Sequence, residues 1–269
     1  MKFSDAVKKL SDAGIEDAKR EARAIFMSVG GYSFADLVGT DLQTGNTSVI
    51  DAIERRAKRE PLQYVIGRVD FYFESYKVTH DCLIPRQDTE ILVNLAVKMI
   101  PEGERFIDLC TGSGCIAIST LKNTKNTSAV AVDLSRGALA VARENADLNG
   151  VSDRITFIEK DALTERVEGD FFAVLSNPPY VTAKAYEALE PELYFEPEMA
   201  LVGTDEDGAG FYRRIAELYC PIIKDGGFIA FEIGFDQAAA LKAVAEKLDM
   251  TCEIIKDLSG LDRVAILKK

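Results

Sequence analysis

The sequence predicts an α/β protein, a sheet of short strands covered on both faces by helices, preceded by a small helical bundle. Three observations predict it. The first sixty residues carry helical periodicity and helix-stopping glycine and proline but no strand pattern. Residues 69–79, Val-Asp-Phe-Tyr-Phe-Glu-Ser-Tyr-Lys-Val-Thr, switch to aromatic and β-branched composition and read as a hairpin or extended linker. From Asp88 onward short apolar strands alternate with helices, which implies a parallel sheet because each crossover needs a helix to return the chain. The expected division is a helical domain over 1–68, a hairpin or linker over 69–87 and an α/β domain over 88–269.

In the first block, helices are expected at Ser4–Ala13, at Asp17–Val29 with Gly30 and Gly31 as the stop, for a turn or two around Ser33–Val38, and at Asn46–Arg59 ahead of Pro61. Val49, Ile50, Ile53 and Ala57 mark one face of the last of these. In the α/β block the expected order is helix Thr89–Ile100, strand Arg105–Leu109, helix Cys115–Leu121, strand Ala129–Asp133 and helix Arg136–Leu148. Strands Ile155–Glu159 and Phe171–Ser176, helix Ala209–Ile222, strand Phe228–Ile233, helix Gln237–Leu248 and strands Thr251–Lys256 and Arg263–Leu267 follow. In such sheets ligands sit at the C-terminal strand edge. The acidic run Thr204–Gly208 is expected to be a solvated loop.

Charge and composition exclude several functions. Of 269 residues, 32 are Lys or Arg and 44 are Asp or Glu, a net charge of −12, which opposes direct nucleic-acid binding through a blanket of phosphate contacts. The N-terminus lacks the apolar stretch of a signal peptide, and nowhere do about 18 uncharged apolar residues run together, so no membrane partner and a soluble, cytoplasmic setting are expected. Cys82, Cys110, Cys115, Cys220 and Cys252 form no C-x-x-C pair, and with a single histidine, His80, neither a zinc site nor a His-based triad is expected.

The chemistry is expected at the strand ends. The first strand runs into Asp108-Leu109-Cys110-Thr111-Gly112-Ser113-Gly114-Cys115 and opens a helix, with glycines that let the backbone turn sharply beside a ligand. The second ends in Asp133, where an acid can accept both hydrogen bonds of a ribose diol; together these point to an adenosine-containing cofactor. The third is followed by Asp161-Ala162, placed for an adenine edge, although an Asp there serves equally as a helix cap. The fourth ends in Ser176-Asn177-Pro178-Pro179-Tyr180. Two prolines after a buried strand cannot extend a sheet. They fix the Asn177 side chain and the Pro178 carbonyl as two acceptors, with Tyr180 as a flat wall, a set suited to a conjugated –NH2 group and so to S-adenosylmethionine rather than a dinucleotide.

At these residues the sequence resembles the release factor glutamine methyltransferases. The resemblance also includes Ile84-Pro85-Arg86-Gln87-Asp88-Thr89-Glu90, Phe195-Glu196-Pro197 with Ala200-Leu201 and Asp207-Gly208, and Asp257-Leu258-Ser259-Gly260-Leu261-Asp262-Arg263. It implies a Rossmann-like, seven-stranded class I S-adenosylmethionine-dependent methyltransferase domain behind a helical domain; because residues 1–68 carry none of the site motifs, that helical domain is expected to dock the substrate. It implies that Cys110, Thr111, Gly112, Ser113 and Gly114 lie by the cofactor's methionine portion, that Asp133 holds the ribose, and that Asp161 and Ala162 border the adenine. Asn177, Pro178, Pro179 and Tyr180 would receive a glutamine amide from peptide chain release factors. Cys110 departs from the pattern where the loop usually begins with Gly, and Gln87 where Pro usually stands. The competing readings are an adenine N6 methyltransferase of DNA or RNA, which the charge of −12 opposes, and a non-catalytic Rossmann-like module or NAD oxidoreductase, which leaves the proline-fixed Asn177 unexplained.

Overall fold

A computed structural model describes residues 1–39 and 41–269. Helices α1 (Phe3–Asp12), α2 (Ala18–Gly30), α3 (Thr47–Ala57) and α4 (Leu62–Ile66) come first. Asn46 caps α3 by accepting from the Ser48 amide, and Gly31 ends α2 in the left-handed conformation. The short α4 differs from the expectation: α3 ends at Ala57, Arg59 turns the chain with a left-handed torsion (φ 72°), and Pro61 sits at the N-cap of the new helix. Strands β1 (Arg68–Phe71) and β2 (Glu74–Lys77) then form a hairpin. Its turn holds Tyr72 and Phe73 at positive φ, the torsions of a tight hairpin turn, without a glycine.

Next come α5 (Glu90–Met99), β3 (Arg105–Leu109), α6 (Cys115–Lys122), β4 (Ser128–Asp133), α7 (Arg136–Leu148), β5 (Ile155–Glu159), β6 (Phe171–Ser176) and the short α8 (Ala183–Tyr186). The chain closes with α9 (Gly210–Tyr219), β7 (Ile223–Glu232), α10 (Ala238–Lys247), β8 (Thr251–Lys256) and β9 (Asp262–Lys268). Helix α9 stops earlier than expected, because Pro221 tightens the chain into a 3₁₀ turn over Cys220–Ile222, and β7 starts earlier, at Ile223.

The seven-stranded sheet has the order β5-β4-β3-β6-β7-β9-β8. Five strands are parallel, as expected. The last two correct the expectation of a parallel sheet: β9 runs antiparallel to both β7 and β8. No helix separates β8 from β9; Asp257 closes the turn, its carboxylate accepting from the amides of Ser259 and Leu261, and a turn that short can only join antiparallel neighbours.

Alternation along the inner strands explains their continuous apolar runs. Phe106, Ala129, Ala131, Ala173, Leu175, Phe228 and Ala230 belong to one core with residues of α5 and α6, whereas Ile107, Val130, Val132, Val174, Ile229 and Phe231 belong to a second with Ala162, Val167 and residues of α9 and α10. A strand buried on both faces has no polar side to show. Among the described residues, no helix is long and apolar enough to cross a membrane.

The described residues group into two units, Met1–Arg68 with Glu190–Phe195, and Val69–Leu189 with Glu196–Lys269. The first packs around Leu10, Ile25, Phe26 and Ile53. Its buried Arg56 pairs with Glu21 and, at 3.1 Å, with Glu192 of the returning segment. In the second, fully buried Asn145 on α7 accepts from the Lys77 amide at 2.7 Å and donates to the carbonyls of Lys77 at 3.0 Å and Ser113 at 2.9 Å. One side chain thereby fastens the hairpin and the loop after β3 to the same helix. Asn145→Ala leaves three backbone groups without partners and is expected to lower the unfolding free energy by roughly 2–4 kcal/mol. Urea denaturation checks this; a loss below about 1 kcal/mol means that water replaces the amide and the fastening is dispensable.

Candidate active site

Strands β3 and β6 are adjacent and parallel, with Leu109 opposite Ser176. The chain leaves β3 toward β4 on one side and reaches β6 on the other, so their C-terminal ends form the topological switch point where open α/β sheets bind ligands. The Cys110–Gly114 loop and the Asn177–Tyr180 loop emerge there side by side.

Three residues of the first loop, Cys110, Gly112 and Gly114, have positive φ (58°, 55° and 82°). Their reasons differ. A Cβ on Gly112 would touch nothing within 4 Å, so torsion alone asks for glycine. A Cβ on Gly114 would come within 2.9 Å of Ile118 Cδ1 and 3.2 Å of Ala142 Cβ, so this glycine serves the packing of α6 on α7. Cys110 takes the left-handed torsion without being glycine. Burial pushes its thiol up, so it is neutral and no nucleophile.

Beneath the loop, fully buried Asp108 accepts from the Thr111 hydroxyl at 2.6 Å and the Ala117 amide at 3.3 Å through Oδ2, while Oδ1 lacks a hydrogen-bond partner. Burial pushes this carboxyl up to about 7. Asp133, at the end of β4, accepts from the Gly112 amide through one oxygen and from the Ser135 amide through the other, both at 2.9 Å. Burial raises its carboxyl and the backbone amides draw it back down. Asp161 accepts from the Leu163 amide at 2.9 Å and the Thr164 hydroxyl at 3.0 Å, capping the turn after β5.

On the other side, the Ser176 hydroxyl donates to the Leu109 carbonyl at 2.7 Å and locks the two strand ends. Asn177 donates through Nδ2 to Thr89 Oγ1 at 3.4 Å, and the Thr89 hydroxyl donates to Glu232. The Tyr180 hydroxyl donates to the other Glu232 oxygen at 3.4 Å, and the Tyr180 carbonyl accepts from Gln237 at 3.2 Å. Gly208 fits beneath that carbonyl, where a Cβ would lie 2.3 Å from it. Neighbouring Asp207 pairs with Arg213, which holds its carboxyl down to about 2. The acidic loop is exposed, but its charge is partly matched.

The remaining motif segments converge here as well. Glu196, 4% exposed, accepts from the Ile84 amide at 2.9 Å and from the Arg86 guanidinium. Arg263 lies 3.4 Å from Asp88 and 3.1 Å from Asp257.

Between the loops lies a cavity of about 310 Å³. Of the candidate site residues named in the sequence, Cys110, Thr111, Gly112, Ser113, Asp133, Asp161, Ala162, Asn177 and Pro179 line it, joined by Pro85, Arg86, Thr89, Pro197 and Ala200 of the motif segments and by Cys82 and Cys115. Gly114, Pro178, Tyr180 and His80 are not among the lining residues. Sequence reasoning did not single out Leu134, Met199 and Phe211, which line it, or Glu232, which stands behind Asn177. A glutamate closing an otherwise apolar strand was the available signal for Glu232.

Left-handed torsion at a non-glycine residue costs of order 1 kcal/mol. Cys110→Gly is therefore expected to keep the loop and to offset its own gain in unfolded-state entropy, leaving stability equal or higher by up to about 1 kcal/mol, where Gly for a right-handed residue is destabilising. Thermal unfolding decides; a clear fall in midpoint would mean that thiol packing outweighs torsion.

Residues 3–67 match the PrmC N-terminal domain and residues 87–194 the methyltransferase small domain. A release factor glutamine methyltransferase of Thermodesulfovibrio yellowstonii is 42% identical over 223 residues, 81% of this chain and 79% of that protein. One of Caulobacter vibrioides is 35% identical over 272 residues, 98% of this chain and 94% of that protein. The ribosomal protein L11 methylase of Lactobacillus delbrueckii subsp. bulgaricus shares the fold, with a TM-score of 0.51 and 19% identity over 68% of this chain and 80% of that one. At these identities and coverages, the chain belongs to the release factor glutamine methyltransferase family.

Proposed function

We propose that this protein transfers a methyl group from S-adenosylmethionine to the side-chain amide nitrogen of the glutamine in the Gly-Gly-Gln loop of peptide chain release factors. The observation that carries the reading is the placement of Asn177 beside the Cys110–Gly114 loop, in one cavity with Asp133. Relatives named for glutamine methylation support a protein amide over an adenine N6 as the acceptor, as does the net charge of −12.

The residues fit this cofactor. Each Asp133 oxygen accepts one backbone amide, and a carboxylate oxygen has a second lone pair, so a ribose diol can still be held there. Leu134, Ala162 and Leu163 offer apolar surface to a purine. Cys110, Thr111 and Ser113 are assigned to the methionine portion, with Gly112 keeping the loop free of a side chain. When bound, the cofactor supplies an electrophilic methyl group on positively charged sulfur.

The protein's part is to hold and polarise the target. An amide nitrogen is a poor nucleophile because its lone pair is delocalised into the carbonyl. Asn177 Oδ1 and the Pro178 carbonyl are assigned to the two amide hydrogens, which aims the nitrogen and stabilises the positive charge that grows on it. The nitrogen becomes strongly acidic once methylated, so its surplus proton leaves to solvent and needs no general base. The N-terminal helical unit is assigned to docking the release factor, since none of the chemistry-bearing residues lies in it. A cytoplasmic setting belongs to the same proposal.

Asn177→Ala is expected to lower the single-turnover rate with saturating cofactor by about 10² to 10³, the scale of one preorganised transition-state hydrogen bond. A rate within about threefold of the parent moves the catalytic centre away from this loop. Asp133→Ala is expected to weaken cofactor binding by roughly 1.5–3 kcal/mol, the range for hydrogen bonds to a charged group. Calorimetric titration measures it, and unchanged affinity places the ribose elsewhere.

A further inference from the structure

At the Asn177–Tyr180 loop stand two buried residues to which the reaction just described gives no part, Thr89, which borders the cavity, and Glu232 behind it. Thr89, preceding α5, and Glu232, closing β7, are each 2% exposed and lie 143 residues apart in the chain. The Thr89 hydroxyl donates to Glu232 Oε2, Asn177 Nδ2 donates to Thr89 Oγ1 at 3.4 Å, and the Tyr180 hydroxyl donates to Glu232 Oε1 at 3.4 Å. One carboxylate thus takes up a hydrogen from Tyr180 directly and ties Asn177 through Thr89.

This chain of bonds has a direction. An ionised carboxylate only accepts, so the single hydroxyl proton of Thr89 is committed to Glu232. Toward Asn177 the Thr89 oxygen can then only accept. An asparagine amide is nearly symmetric in shape and exchanges its two ends by a half-turn; here only the amino end suits Thr89.

We propose that Thr89 and Glu232 are positioning residues that fix the Asn177 amide with its amino end on Thr89 and its carbonyl Oδ1 free for the target amide, an inference that rests on the role of Asn177 proposed above. Without them the amide turns over, and a donor meets the N–H groups it should accept from. The groups facing Glu232 are Thr89 and Asp88 ahead of α5, Cys115 at the start of α6, Tyr180 after β6, Tyr212 on α9 and Arg263 on β9. Burial pushes its carboxyl up to about 7, against the pull of the Thr89 hydroxyl and the Arg263 guanidinium. A protonated Glu232 can donate to Thr89, which frees the Thr89 proton for Asn177 Oδ1. The productive orientation is therefore lost as pH falls through the Glu232 titration.

The test is single-turnover methylation of a release factor by the full-length protein at saturating cofactor, with cofactor affinity and thermal midpoint measured on the same samples. Thr89→Val, matched in shape, is expected to lower the rate about 10- to 100-fold, the loss for a buried polar group deprived of its partner, with cofactor affinity within about twofold. Thr89→Ser keeps the hydroxyl and is expected to restore most of the rate. Glu232→Gln replaces one acceptor by a donor and is expected to slow the reaction comparably and to remove the Glu232 step from the fall in rate expected of the parent between about pH 8 and 6, leaving only a step due to Asp108, whose carboxyl is also pushed up to about 7. A purely structural role would move the thermal midpoint and leave the rate and its pH profile unchanged. Thr89→Val methylating at the parent rate, or a parent profile flat across that window, overturns the inference while leaving the proposed function standing. A parent protein that leaves the release factor unmethylated overturns both. Should Thr89→Val fail to fold, the parent profile and Glu232→Gln decide.

Discussion

Leu109 and Ser176 stand opposite each other in adjacent parallel strands, and the Ser176 hydroxyl donates to the Leu109 carbonyl at 2.7 Å. The next residues of each strand, Cys110 and Asn177, begin the two loops that line one cavity. A slip of one residue would turn every side chain of β6 to the opposite face and carry Asn177 away from the cofactor loop. That register is protected because both strands are buried on both faces, with Ile107 and Val174 packed on one side and Phe106, Ala173 and Leu175 on the other.

Around this junction, the segment Ile84–Glu90 acts as a frame. The Ile84 amide and the Arg86 guanidinium bond to Glu196, Asp88 pairs with Arg263, Thr89 bonds to Glu232, and Glu90 accepts from the Tyr72 amide at 3.0 Å. Burying carboxylates is costly unless they are paired or hydrogen-bonded; Glu196 meets that condition through this segment, and Glu232 through Thr89 of the segment together with Tyr180. The frame therefore joins positions from three distant stretches of the chain to the loop that receives the target.

Much of this was legible in the sequence. The helix Arg136–Leu148 and the strands Ile155–Glu159, Phe171–Ser176 and Thr251–Lys256 have the expected limits, because apolar runs bounded by glycine, proline and capping residues leave little freedom. The pairing of Gly112 with Asp133 follows from strand spacing, and the structure adds that the Gly112 amide itself bonds to that carboxylate. The antiparallel return of β9 is legible in the absence of a helical segment between Lys256 and Asp262, since the crossover argument for parallel strands holds only where a helix intervenes. The partnership of Thr89 with Glu232 was not legible: nothing local to either residue names the other. The position of Tyr180, outside the cavity lining and bonded to Glu232, depends on the same long-range contact.

The most direct measurement is mass spectrometry of the Gly-Gly-Gln peptide of a purified release factor after incubation with this protein and S-adenosylmethionine. The expected result is a gain of one methylene on the side-chain amide of the loop glutamine, absent when the protein is left out. An unmodified glutamine alongside methylation of another residue, or of adenine in added nucleic acid, would contradict the assignment of Asn177 and its neighbours to a glutamine amide.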